Sequence, residues 1–139
     1  MKIDIQNNSV SVRLEAICRS EVLLVGGLGV RFQIQDANKG IWPAFAVRHS
    51  KGISSYLNRC AHLALELDWE PGNLFDLDGE AIICSTHGAL YDPASGECVS
   101  GPCNGRGLES LFLKEDEGVV YLADRTYSLY SSKEDGNDT

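Results

Sequence analysis

The chain has 139 residues, a formal net charge of −8, and 43% hydrophobic against 23% charged residues. That length predicts one domain with a core of its own, and the acidic balance excludes nucleic acid and anionic membrane as partners of the surface as a whole. No run approaches the ~18–20 apolar residues of a membrane helix, and the start, MKIDIQNNSV, lacks the basic and apolar regions of a signal peptide. A cytoplasmic location is therefore expected. There the odd set of five cysteines reads as metal ligands or free thiols rather than bridges.

Along the chain, the first nine residues are polar and expected to be loose. Short apolar or alternating runs follow at Val10–Cys18, Val22–Val25, Val30–Gln35, Ala44–His49 and Ile53–Asn58. Their length and their β-branched and aromatic content predict strands, with a hairpin turning at Ser50–Gly52. Gly26-Gly27-x-Gly29 lacks the strand–loop–helix setting of a phosphate loop and reads as a β-turn. Arg59 to Asn73 reads as loop or a short helical turn closed by Pro71-Gly72.

Further on, Asp76–Gly79 is a turn and Ala81–Cys84 a short strand. Ala89–Tyr91 and Glu97–Ser100 flank a proline- and glycine-bearing hairpin loop. Gly101-Pro102 and Gly105–Gly107 form another loop. Leu111–Leu113 and Val119–Leu122 make a last hairpin around Glu115–Gly118, and Ser131–Thr139 is a polar tail expected to be disordered. Roughly ten short strands without a long helix indicate an antiparallel all-β domain.

The informative residues are two mixed pairs, Cys60-x-His62 and Cys84-x-x-His87, with 21 residues between His62 and Cys84. A zinc finger typically draws two cysteines from one arm and two histidines from the other. Here each arm supplies one of each. That order suits a two-iron cluster with two thiolates on one iron and two imidazoles on the other, straddled by two facing loops.

Around these pairs the sequence reads NRCAHL, then CSTHGALYDPASGE, then GPC. From about Val22 to Ala123 it resembles the Rieske ferredoxin family: C-x-H, C-x-x-H-G, a following aromatic, a D-x-x-[ST]-G turn and a G-P loop. The resemblance implies a Rieske-like antiparallel β-sandwich, residues 1–130, with a small cluster-binding subdomain inserted at about 59–103 and the tail 131–139 beyond it. It implies one 2Fe–2S cluster, with Cys60 and Cys84 as thiolate ligands to an inner iron and His62 and His87 as imidazole ligands to an outer one. Gly101-Pro102 would cover the cluster, and Leu63 would shield it from water.

With two ferric ions, two sulfides and two thiolates the oxidised site is formally neutral, whereas four thiolates would make it doubly negative. Reduction is therefore easier, as the roughly −150 to +300 mV of Rieske centres against about −400 mV of plant-type clusters reflects. High-potential members carry an extra cysteine in each ligand loop and a serine after the H-G pair. Those positions hold Leu65, Thr86 and Ala89 here, so the resemblance implies a potential at the low end. Tyr91 matches a tyrosine that donates to a ligand sulfur, and it reads equally as a core aromatic.

Other residues have plainer readings. His49 is expected as a surface or hairpin histidine, Cys18 as a buried small apolar residue, Cys98 and Cys103 as two free thiols, and Trp42 and Trp69 as packing or lid aromatics. No second iron site of the two-histidine, one-carboxylate kind can be assembled, because only His49 remains. No catalytic site of its own is expected.

The implied function is an electron-transfer component taking single electrons from a reductase to an oxygenase or another redox enzyme. The exposed histidine edges would be the exit, and the acidic surface would steer the chain to a basic partner face. One rival is the small Rieske subunit of a larger enzyme such as nitrite reductase. Another is a zinc-binding interaction module or redox sensor.

Overall fold

In the computed structural model the described residues are 2–7, 10–60, 65–103 and 105–131; side chains are described from residue 13 onward. The strands are β1 (Lys2–Asn7), β2 (Val10–Arg19), β3 (Val30–Gln35), β4 (Ile41–His49), β5 (Gly52–Leu57), β6 (Ile82–Ile83), β7 (Leu90–Tyr91), β8 (Cys98–Ser100), β9 (Ser110–Leu111), β10 (Leu113–Asp116), β11 (Val119–Leu122) and β12 (Ser128–Tyr130). They form three antiparallel sheets, in the orders β1-β2-β11-β10, β12-β3-β4-β5-β9 and β6-β7-β8. The only helical piece among the described residues is a 3-10 turn at Ser20–Val22.

Strand β4 organises the molecule. Its run IWPAFAV does not alternate in polarity, and Ala44, Phe45, Ala46 and Val47 are all buried. A strand reads this way when both of its faces are covered. On one face Ala44 packs with Ile34, Leu57, Leu111 and Leu122, and Ala46 packs with Leu23 and Val120. Leu122 and Val120 belong to β11, so this face makes a two-sheet sandwich. On the other face Phe45 and Val47 pack with Tyr56, Cys60, Leu67, Leu74, Ile82, Cys84 and Tyr91.

That second core belongs to an insertion. Strands β5 and β9 are neighbours in the larger sheet, with Ser55 opposite Leu111. The described residues between them, including the small sheet, are looped out over β4 and β5. Period-two side-chain alternation along β4 therefore builds two cores from one strand.

The antiparallel all-β architecture, the hairpin between β4 and β5 and the last hairpin agree with the sequence reading. Four details differ. Residues Lys2–Asn7 were expected to be loose, but they pair with β2 from Lys2 opposite Glu15 to Asn7 opposite Val10. Val22–Val25 is not a strand. Arg48 donates to the carbonyls of Leu23 and Ser20 at 2.8 and 3.3 Å, which satisfies by side chain what a ladder would have satisfied by backbone.

Strand β12 lies beyond the runs expected to be strands. It pairs with β3, and the Leu129 amide also donates to the Glu15 carboxylate at 3.0 Å. Cys18 is half-buried rather than buried. The Gly26-Gly27 segment is a turn, as expected, with the Gly27 amide donating to Leu24 at 2.9 Å. The polar tail from residue 132 lies outside the described residues.

Candidate metal centre

Two loops of the insertion converge. The first leaves β5 at Leu57. Asn58, fully buried, accepts from the Leu67 amide at 2.8 Å and donates to Asp68 at 2.9 Å. Asp68 in turn accepts from the Gly72 amide at 2.8 Å and is ion-paired with Arg31 of β3 at 3.3 Å. Arg31 also pairs with Glu66. One amide and one carboxylate thus close the loop on itself and tie it to the larger sheet, and Cys60 sits at its root with its amide donating to Leu65 at 2.6 Å.

The second loop joins β6 to β7. The Cys84 amide donates to Ala89 at 2.9 Å and the Gly88 amide to Cys84 at 2.8 Å. This tight reversal needs Gly88, whose φ is +77°. The Ser85 amide donates to Leu67 at 2.8 Å, and the Trp69 indole donates to the Thr86 hydroxyl at 3.2 Å, so the loops are stitched together from both sides.

This places three of the four expected ligand residues together. One ligand atom each from Cys60, Cys84 and His87 lies within 4.8 Å of the others. Both cysteines are buried and His87 is exposed. Burial pushes the Cys84 thiol above its ordinary pKa; a bound metal offsets that cost by holding the thiolate. His62 and Leu63 lie outside the described residues. Tyr91 is wholly buried, as a core aromatic is, and its hydroxyl lies 3.6 Å from the Cys60 sulfur, within reach of a hydrogen bond in which either atom can donate.

The donor set fits an iron–sulfur cluster: soft thiolates in an apolar pocket and an imidazole at its rim. Ala89 is fully buried, while Leu65 and Thr86 are exposed. Trp69 is 74% exposed beside the second loop, while Trp42 donates to Asp36 at 3.0 Å and stacks under Arg59.

One expectation fails here. Cys98 and Cys103 are not free thiols but a disulfide. The Gly101-Pro102 turn explains it: Gly101 has φ +93° and its carbonyl accepts from the Cys103 amide at 2.9 Å, which folds the chain back and brings the two sulfurs together. The C-x4-C spacing around a Gly-Pro turn was the available signal. His49 ends the β4–β5 hairpin opposite Gly52, so of its two expected settings the hairpin holds and the surface does not. It is buried, bonded to the Ser54 hydroxyl at 2.8 Å and to the Lys51 amide at 3.1 Å, and burial lowers its pKa. The Asn58–Asp68–Arg31 staple carried no motif, because its members come from three separate segments.

Comparison with known proteins agrees with this geometry. The model of the Rieske [2Fe-2S] domain matches residues 17–127. No curated protein sequence matches the chain significantly. Among solved structures, the ferredoxin of carbazole 1,9a-dioxygenase from Nocardioides aromaticivorans IC177 is similar at TM-score 0.61 and 18% identity, over 81% of this chain and 98% of that one. The Sphingomonas yanoikuyae B1 ferredoxin is similar at TM-score 0.59 and 18% identity, over 78% and 96%. The terminal oxygenase of the Nocardioides carbazole system is similar at TM-score 0.63 and 17% identity, over 85% of this chain but 32% of that one. At these identities the structures show a shared fold, and the family match shows the rest: the chain belongs to the Rieske [2Fe-2S] domain family and carries one 2Fe–2S cluster.

Proposed function

We propose that Cys60 and Cys84 hold the inner iron of this cluster and His62 and His87 the outer one, and that the chain is a stand-alone ferredoxin-like carrier. The observation that carries the reading is the asymmetry of burial: two buried cysteines and an exposed histidine within 4.8 Å. The cluster supplies one-electron redox chemistry at a nearly constant geometry. The residues do the rest. Cys60 and Cys84 anchor the site in the apolar core shared with Phe45 and Tyr56. Tyr91 donates toward a ligand sulfur, and the Gly101-Pro102 loop packs against Ala89. His87 offers a short path from the site to a docked protein.

We assign residues 1–130 to one domain, with 59–103 as its cluster-binding subdomain and 131–139 as a tail. The partners on this reading are a reductase and an oxygenase or other redox enzyme, met through the histidine face, with no nucleic acid or membrane. The similarity to two ferredoxins, over 98% and 96% of their length, supports the carrier reading. The net charge of −8 supports electrostatic docking, and the cytoplasm is the assigned location. Among the described residues no helix is long and apolar enough to cross a membrane.

The testing experiment is anaerobic purification followed by size analysis and single-turnover oxidation. The carrier reading expects a free monomeric or homo-oligomeric coloured protein that takes one electron per chain and returns it. A protein isolated only with a large partner subunit refutes the carrier reading in favour of a fixed subunit such as that of a nitrite reductase.

A further inference from the structure

The disulfide between Cys98 and Cys103 encloses only Val99, Ser100, Gly101 and Pro102. Closing so short a ring restricts the unfolded chain least, so the bridge is poorly explained as a staple for the fold. Its position is more informative. Cys103 is buried in the same packed core as Cys60, Cys84, Ala89 and Tyr91, and the partly buried Cys98 packs against that core. Gly101 sits so close to the second ligand loop that a Cβ there would meet the Ala89 Cα at 2.8 Å and the Gly88 carbonyl at 3.2 Å. Cys98 is paired across the small sheet with Tyr91, whose hydroxyl reaches Cys60.

We propose that Cys98–Cys103 is a second redox site, a thiol-exchangeable couple whose state sets the closure of the loop over the cluster. The thiolate of an external thiol or dithiol attacks the Cys98 sulfur, the more accessible of the two. The S–S bond breaks, and Cys103 leaves as a thiolate and takes up a proton. A second external thiolate then resolves the mixed disulfide, Cys98 leaves as a thiolate and is protonated, and the donor departs as its own disulfide. Two electrons and two protons have moved to the pair.

The reduced form has a place in the fold. The Ser100 carbonyl lies 3.7 Å from the Cys98 sulfur and 3.6 Å from the Cys103 sulfur, in reach of either S–H. Without the bridge the loop is no longer clamped against Gly88 and Ala89, and water gains access to the site. Solvent stabilises the more negative, reduced cluster, so thiol formation raises the cluster midpoint. The exchange stands on the disulfide alone. The coupling rests on the ligation proposed above.

The test uses the anaerobic holoprotein in glutathione mixtures running from oxidising to reducing. Each sample is alkylated, the modified cysteines are located by mass spectrometry, and the cluster midpoint is measured in parallel. The expected result is reversible, paired modification of Cys98 and Cys103, with the midpoint rising along the same curve. Two unmodified cysteines in the most reducing mixture, or two modified ones in the most oxidising, overturn the exchange. Thiols that appear while the midpoint stays still overturn the coupling. Cys98→Ser should sit at the higher midpoint and ignore glutathione; a midpoint equal to that of the bridged protein contradicts the proposal. Retention of the paramagnetic signal of the reduced cluster in that variant separates a failed coupling from a failed ligand set, and the wild-type titration depends on no variant folding.

Discussion

The Tyr91 hydroxyl stands 3.6 Å from the Cys60 sulfur, with both residues buried in one core. A phenol in that position donates to a thiolate, and it does so more strongly when the site carries the extra negative charge of the reduced state. A preference of about 1 kcal/mol corresponds to roughly 40 mV in a one-electron couple, taking 59 mV per tenfold. Tyr91→Phe is therefore predicted to lower the midpoint by on the order of 40 mV in a redox titration. An unchanged midpoint would make Tyr91 a packing residue only.

The potential itself should fall at the low end of the Rieske range of about −150 to +300 mV. Ala89 has no hydroxyl to offer a sulfide, and its side chain is fully buried. A wild-type value above about +150 mV, in the upper part of that range, contradicts this. Ala89→Ser supplies a donor in the same place and is predicted to move the midpoint upward.

Asn58 holds the first ligand loop by two buried hydrogen bonds, one to the Leu67 amide and one to Asp68. Asn58→Ala removes both and leaves a buried amide N–H without that acceptor and a buried carboxylate oxygen without that donor. The expected cost is about 2–4 kcal/mol from those unmade bonds, seen as a lower urea midpoint and faster bleaching of the cluster's visible absorbance. Loss below about 0.5 kcal/mol, the usual size of a surface change, would show that the staple does not hold the loop.

His49 titrates with a definite sign. The Lys51 amide donates to Nδ1, so Nε2 carries the proton and donates to Ser54. Protonation at Nδ1 would break the Lys51 contact, and burial, the largest cause, holds the folded pKa below the ordinary 6.5. The stability this contributes is complete above the unfolded value and is lost as pH falls through the folded one. Thermal midpoints should decline as pH drops below about 6.5, and His49→Gln should flatten that decline. An equal slope in the variant assigns the acid sensitivity to other groups.

What the sequence showed and hid follows from how far apart the interacting residues lie. The grouping of Cys60, Cys84 and His87 within 4.8 Å was legible because each sits in a short motif whose spacing is itself chemical. Strands β3, β4 and β5 were legible because their runs are apolar and β-branched. The Lys2–Asn7 strand was not: Ile3 and Ile5 alternate with polar neighbours, but the run is short and mostly polar, and it is the pairing with β2 that reveals it. Val22–Val25 misled because its apolar run mimics a strand, while Arg48, more than twenty residues away, binds the carbonyls instead. The Cys98–Cys103 bridge was hidden because a cytoplasmic setting disfavours bridges in general, while the Gly-Pro turn brings these two sulfurs together. His62 carries the same motif logic as His87, and its place in the ligand set rests on that logic.

The ligand set of two thiolates and two imidazoles is the central claim. It is tested most directly by pulsed paramagnetic resonance of the reduced protein, read for nitrogen hyperfine coupling, with His62→Cys and His87→Cys as companions. The account predicts two strongly coupled, inequivalent nitrogens in the wild type and the loss of one in each variant. A wild-type spectrum with no strongly coupled nitrogen, or two nitrogens surviving in either variant, would contradict it.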